Sequence, residues 1–137
     1  MFATKRSHLN NALFDSWSGV HAMCGISLNI LGISRNRAAF YAIAWEVVEN
    51  SRVGFFIWEM LGDANYKGDD ATNVASDVLI VCLFHGLSKR LGLKKSVILM
   101  NICFLYFQIY ETYLWNRRLK NYSALQNMVE FFSHGCV

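Results

Sequence analysis

Apolar residues run along the chain in four long blocks, and short charged connectors separate them. The blocks extend from Trp17 to Ile33, from Ala38 to about Met60, from Ala71 to Leu87 and from Ser96 to Trp115. A helix rises 1.5 Å per residue and about 20 residues cross a hydrocarbon core of about 30 Å, so each block is near the length of one membrane span. The first and third are short and require tilt or local thinning of the bilayer. No block alternates with period two, and all are too long for strands. A soluble four-helix bundle would place a continuous charged face on every helix. The third and fourth blocks have none: Val78 to Leu87 carries only Cys82 and His85 as ionisable groups, and Val97 to Tyr110 carries no formal charge. The pattern predicts an all-α protein, an integral membrane bundle of about four transmembrane helices in a single domain over 1–137. A short amphipathic C-terminal segment after Tyr122 (Leu125, Met128, Val129, Phe132) is predicted to lie along the interface.

Composition agrees. Charged residues are 17% of the chain and hydrophobic residues 54%, against about 25% charged in a typical soluble domain. The net charge of +3 is spread over the connectors, which argues against nucleic acid as a partner. There is no proline, so nothing in the blocks forbids an unbroken helix. The four cysteines, Cys24, Cys82, Cys103 and Cys136, lack C-x-x-C spacing, which points to neither a disulfide framework nor a thiolate metal site. Ser7 to Asp15 is mixed and polar where a signal peptide needs an apolar core. Arg35 and Arg37 follow the first block, and Lys89, Arg90, Lys94 and Lys95 follow the third; the positive-inside rule puts both connectors in the cytoplasm. The connector with Asp63, Lys67, Asp69 and Asp70 is net acidic and then lies outside, where Trp17, Trp58 and Trp115 form an aromatic belt.

Charged side chains deep in a span cost at least about 2.5–3.5 kcal/mol each, so their presence needs a reason. Glu46, Glu49 and Asn50 share one face of the second block, with Arg52 placed to pair with Glu49. Asp69, Asn73 and Asp77 form an i, i+4, i+8 stripe if the third helix starts early; the bland reading of Asp69 or Asp70 is a helix cap. The fourth block contributes Glu111, with Asn101, Gln108 and Thr112 on the same side; Asn101 and Gln108 read as interhelical hydrogen-bonding groups. The first contributes His21 beside Gly25, and Gly25 and Gly32 allow close helix approach. Counting depth along straight helices brings His21, Glu111, Asp77 and Glu49 into the outer half of the membrane, with Glu46 past the midplane. Glu49, Asp69, Asp77 and His21 are therefore the candidate catalytic or binding residues, with Glu46, Asn50, Asn73 and Glu111 in support. Several carboxylates with one imidazole suit general acid/base chemistry or a divalent cation. His8, His85 and His134 have no evident partners.

At these positions the sequence resembles a family of uncharacterised bacterial inner-membrane proteins, VanZ-like in general design. Its Ser-His-x-x-His-Gly pattern is echoed by Val20, His21, Cys24 and Gly25. Its Trp-Glu-x-x-Glu-Asn-Ser is matched by Trp45, Glu46, Glu49, Asn50 and Ser51. Its Tyr-x-Gly-Asp-Ser-x-x-Asn-Ser-x-x-Asp is echoed by Tyr66, Gly68, Asp69, Asn73 and Asp77. Cys24 stands at the second histidine, Asp70 and Val74 replace serines, and the family's extra N-terminal hydrophobic segment has no counterpart. The resemblance covers about Asp15 to Leu87 and implies membrane helices around a shared polar site, without a reaction.

Two functional readings follow. One is an intramembrane site, either ion-binding or a hydrolase or transferase acting on a lipid-linked or envelope substrate. The other is a non-catalytic accessory subunit packed in a larger membrane assembly, of the respiratory-complex or virion-membrane kind, whose polar residues only bond helix to helix. The expected surroundings are the lipid bilayer and, on the second reading, other membrane subunits.

Overall fold

The computed structural model describes residues 12–60 and 66–134, with side chains described as far as Asn116. Five helices follow one another: α1 (Trp17–Ile30), α2 (Arg35–Glu49), α3 (Arg52–Met60), α4 (Ala71–Leu91) and α5 (Leu93–His134). The protein is all-helical over the regular elements described, as the pattern predicts. Two of the helices, α4 and the Leu93–Asn116 part of α5, are long and apolar enough to cross a membrane. With 14 and 15 residues, α1 and α2 reach only about 21–22 Å at 1.5 Å per residue.

The second apolar block is not one helix. It breaks at Asn50 and Ser51, because both side chains bond backbone rather than leave the helix to continue. The Asn50 amide donates to the Glu46 carbonyl at 3.0 Å, and the Ser51 hydroxyl donates to the Val48 carbonyl at 2.6 Å. Ser51 Oγ then accepts from the N–H groups of Val53 and Gly54 (3.2 and 3.4 Å) and so caps α3. Gly54 sits so close to the Glu49 and Val48 carbonyls that a Cβ would collide with them. The bend is sharp. A straight helix would set residues 49 and 58 about 13.5 Å apart along its axis, yet Trp58 Nε1 donates to Glu49 Oε1 at 3.0 Å. The expected pairing of Arg52 with Glu49 is lost for the same reason: Arg52 opens α3 and is exposed, and among the described residues no ion pair joins the two.

The C-terminal segment is also not separate. Between Gly92 and Gly135 the sequence holds neither glycine nor proline, and α5 runs through the region as one helix to His134. The connector between the third and fourth blocks shrinks to Gly92, whose φ of +74° turns the chain between α4 and α5. Gly32 has the same role after α1. It forms a Schellman cap with Gly32 N–H to the Asn29 carbonyl and Ile33 N–H to the Leu28 carbonyl, both 3.0 Å. It therefore ends a helix instead of packing against one, contrary to the sequence expectation.

Gly25 does pack. A Cβ there would run into the backbone of Val81 on α4, so α1 and α4 meet backbone to backbone. At one end of the bundle Asn29 donates to Ser88 (2.9 Å), Ser88 to Ser96 (2.8 Å), and His85 Nε2 lies 2.8 Å from the Ile33 carbonyl. His85 is thus a buried tie between the α1–α2 turn and α4, not an incidental residue. The same contacts bring both basic connectors to one end. At the other end Asn73 donates to the Ala12 carbonyl (2.9 Å) and Ser16 to Glu111 (2.5 Å). Asp70 caps α4 there, accepting from Thr72 and Asn73 N–H at 2.9 and 2.8 Å. Asp70→Ala is expected to lower stability by about 1 kcal/mol in thermal or denaturant unfolding, through loss of the cap.

The interior is unusually polar. Asp15, Ser16, Glu46, Asn73, Ser76, Asp77, His85, Ser88 and Ser96 are buried, whereas Leu79, Leu83, Ile98, Ile102, Leu105 and Ile109 are exposed, the last by 69%. Asn101, expected to bond between helices, instead donates to Val97 of its own helix and faces outward; Thr112 likewise donates to the Gln108 carbonyl.

Candidate functional site

The polar residues converge. A cavity of about 550 Å³ opens among α1, α2, α3, α4 and α5, and among its lining side chains are Asp15, His21, Glu49, Asp69, Asn73, Asp77 and Glu111. No lysine or arginine is found among the described residues that line it.

Each helix delivers its residue by a simple device. His21 lies one turn before Gly25 on α1, so the close approach to α4 that Gly25 permits sets the ring beside Asp77, with Nε2 3.6 Å from Oδ2. Glu46 and Glu49 sit one turn apart on the buried face of α2, alongside Ala38 and Ala42. Asn50 ends that helix and uses its other atom to hold the next residue of the site: the Asp69 N–H donates to Asn50 Oδ1 at 2.6 Å. Asp69 therefore lies outside α4, not on the helical stripe with Asn73 and Asp77, yet it faces the same cavity. Tyr66 donates its hydroxyl to Asp69 Oδ2 at 2.9 Å. The Tyr66 ring packs 5.4 Å from that of Trp58, which itself lies edge-on to Trp17 at 5.3 Å. The turned-back α3 thus covers the acidic end with aromatic rings.

Two sets of donors come within bonding range of a common point. His21, Glu46 and Asp77 each offer a ligand atom, all within 4.8 Å of one another, and so do Glu46, Glu49 and Asp69. Donors at about 2.1–2.5 Å from one ion stand about 3–5 Å apart, so either set could close on a divalent cation with small rotamer changes. Glu46 belongs to both. Counting depth along a straight second block put it past the midplane, but α2 ends at Glu49, which places Glu46 only one turn from the helix end and at the centre of the cluster.

Two atoms in this cluster lack any partner. Glu46 Oε2 and Asp77 Oδ1 are buried without a hydrogen bond, on residues only 4% and 2% exposed. Such groups normally cost about 1–3 kcal/mol or more unless something satisfies them. Burial pushes the Asp69 carboxyl up from its usual range, against the bonds from Tyr66 and Asn50, which favour the charged form. Asp15, buried where it lines the cavity, is pushed up to about 6 by burial, opposed by the Ser18 and Trp17 N–H groups. The Tyr66 hydroxyl is also pushed up, first by burial and then by the neighbouring carboxylates, so it stays a donor.

Every predicted site residue is brought to this region: His21, Glu49, Asp69, Asn73, Asp77 and Glu111 line the cavity, Glu46 lies behind that lining within reach of its neighbours' donor atoms, and Asn50 acts as a brace. Glu111 lines the cavity and accepts from Ser16. Asp15, Tyr66 and Trp58 were not assigned to the site from the spacing. Asp15 had a signal: it forms a reciprocal box with Ser18, each side chain accepting the other's N–H at 3.1 Å, in the Asp-x-x-Ser spacing that opens a helix. Cys24, which stands at the second histidine of the resemblance, is a free thiol lining the same cavity. Comparison with protein-family models, with curated proteins and with solved structures finds no match.

Proposed function

We propose that this chain is a multi-pass membrane protein that holds a divalent cation in its acidic cavity and uses it in hydrolysis or group transfer on an anionic, lipid-linked substrate. The observation that carries the reading is the cluster of buried carboxylates from α2, α4 and the segment before α4, with two unpartnered oxygens and no basic side chain among the described lining residues. Buried charges of one sign need a counter-charge, and structural ion pairing would have supplied arginine or lysine. A cation from solution supplies it here.

The membrane part of the proposal rests on inverted packing. Serines, asparagine and carboxylates fill the interior while large aliphatic side chains cover the outside of α4 and α5. In water that surface would be a liability; in hydrocarbon it is solvated, and polar groups belong inside. Four passes, on α1, α2, α4 and α5, fit the alternating ends, with α3 as a re-entrant turn. Irregular backbone at membrane depth is tolerated where it is buried in protein, and the break at Asn50 is braced against Asp69 within the bundle. The basic end then faces the cytoplasm and the acidic cavity opens outward. The resemblance to the inner-membrane family supports the same reading, because its motif residues Glu46, Glu49, Asp69 and Asp77 are those gathered in the cluster.

The substrate class follows from the cavity's two characters. Beyond the carboxylates its wall is apolar and aromatic, with Val20, Leu28, Tyr41, Trp45 and Phe107. A ligand with an anionic head and an apolar chain matches that pairing. The cation would bind the head despite the surrounding negative charge, polarise the reacting bond and lower the pKa of a bound water. A carboxylate outside the two sets of donors, Asp15 or Glu111, would accept the proton.

The test is a metal census on the detergent-purified protein, by elemental analysis alongside native mass spectrometry, before and after chelation and reloading with Mn²⁺, Zn²⁺ or Ca²⁺. A stoichiometric metal that is lost in Asp77→Asn, with the fold kept, is the expected result. A protein that takes up none of the three, and that holds on to partner chains instead, would favour the accessory-subunit reading.

A further inference from the structure

The five donors do not form one coordination shell; they fall into two triads that meet at Glu46. We propose that the cavity is a two-cation centre, with Glu46 as the bridging carboxylate between a His21–Asp77 subsite and a Glu49–Asp69 subsite. The inference rests on the cation-binding reading above and extends it.

Charge is the first argument. Glu46, Glu49, Asp69 and Asp77 carry four negative charges when ionised, and the triads contain no basic group other than His21. One divalent ion would leave two of those charges uncompensated in a cavity shielded by Trp17, Trp58 and Tyr66. Two divalent ions balance all four.

The second argument is the disposition of the remaining lone pairs. Asp77 Oδ1 is unpartnered in the first triad, and Glu46 Oε2 is unpartnered where the triads join. Every carboxylate with another job has its bond: Asp15 accepts from Ser18, Asp70 caps α4, and Glu111 accepts from Ser16. Among the described residues, the buried side-chain oxygens without a hydrogen bond lie in the triads. Braces hold the rest of the second subsite, since Asp69 is fixed through Tyr66 and Asn50, and Glu49 through Trp58. Supporting bonds of this kind orient ligands around a metal.

The two subsites differ in chemistry. The first has an imidazole and suits Zn²⁺ or Mn²⁺; the second is all oxygen and suits Mg²⁺, Ca²⁺ or Mn²⁺. Paired ions in two-metal sites stand about 3.5–4 Å apart and clamp both the attacking and the leaving oxygen of a phosphoryl or acyl transfer. That arrangement fits an anionic, lipid-linked substrate whose head enters from the outer side.

Mn²⁺ titration of the chelated full-length protein in detergent tests this, read by equilibrium dialysis and by electron paramagnetic resonance. The expected result is two Mn²⁺ per chain, with the six-line spectrum attenuated by exchange coupling when the second ion enters. His21→Ala and Asp69→Asn are each expected to bind one Mn²⁺ and to give an uncoupled six-line spectrum, with helicity unchanged by circular dichroism. Zn²⁺ competition separates the subsites: it should displace the Mn²⁺ remaining in Asp69→Asn at least tenfold more readily than the one remaining in His21→Ala. Two uncoupled ions in the wild type, or a single equivalent, would overturn the bridged centre. In the second case the single-cation reading stands. No binding at all would overturn both.

Discussion

Glu46→Gln is expected to make the metal-free protein more stable and, in the same molecule, to abolish its response to divalent cations. Glu46 is buried by α2, with Oε2 unpartnered and the carboxylates of Glu49, Asp69 and Asp77 around it. Without an ion the carboxyl must either ionise among like charges or take up a proton, and either state is costly in a site shielded from water. An amide of the same shape removes that choice and can donate to a neighbouring carboxylate. A gain of about 1–2 kcal/mol is expected in the presence of chelator, on the scale of one unsatisfied buried polar group. The wild type should recover that and more when loaded, since a ligand at 100 times its Kd adds about 2.7 kcal/mol. Thermal unfolding in detergent with chelator and with Mn²⁺ measures both halves. A variant less stable than the wild type in chelator would mean that Glu46 is already satisfied within the fold, and the site would lose its reason for a cation.

Opposite signs of this kind are expected where a chain keeps residues that its fold alone would not choose. They are also what made the site legible in the sequence. Charges within apolar blocks are conspicuous, so His21, Glu49 and Asp77 could be picked out, and helical periodicity was enough to turn them inward. Asp69 reaches the cavity from outside α4, held by Tyr66 and Asn50 rather than by a helical stripe. The break after Glu49 was harder to see, because the hydrophobic run continues through Val53, Phe55, Phe56 and Ile57. Asn50 and Ser51 bond backbone only once a turn has formed, and nothing in a polar pair announces which way the chain will go. Missing the turn misplaced Glu46, since depth counted along a straight 23-residue helix is wrong for a 15-residue one. Asp15 was hidden for another reason. It stands in a polar stretch, where an acidic residue is unremarkable, and its burial comes from long-range neighbours: the Tyr106 hydroxyl, 91 residues away, donates to its carbonyl at 2.8 Å. The partner of His85, the Ile33 carbonyl, is likewise a backbone atom 52 residues off that no pattern of side chains reveals.

Gly25→Leu is expected to separate α1 from α4 and, with them, His21 from Asp77. A Cβ at position 25 would meet the Val81 carbonyl and the His85 backbone nitrogen, which cannot rotate aside as a side chain could. His21 is one turn before Gly25 and Asp77 one turn before Val81, so the contact that glycine permits lies directly beneath the 3.6 Å approach of imidazole to carboxylate. Alanine already overpacks this crossing and should cost about 1–3 kcal/mol, with leucine costing more. The local loss at the site should be larger than the global one: a shift of 1 Å or so between the helices takes donors out of bonding range, and cation affinity should fall at least tenfold even where the protein still folds. Gly86→Ala is the matched control, because a Cβ there meets nothing within 4 Å. It should keep full affinity and gain up to about 1 kcal/mol from helix propensity. Unfolding and Mn²⁺ affinity measured on the three variants decide the matter. If Gly25→Ala keeps both stability and affinity, the site does not depend on the α1–α4 crossing, and His21 is held by something other than the closeness of the two backbones.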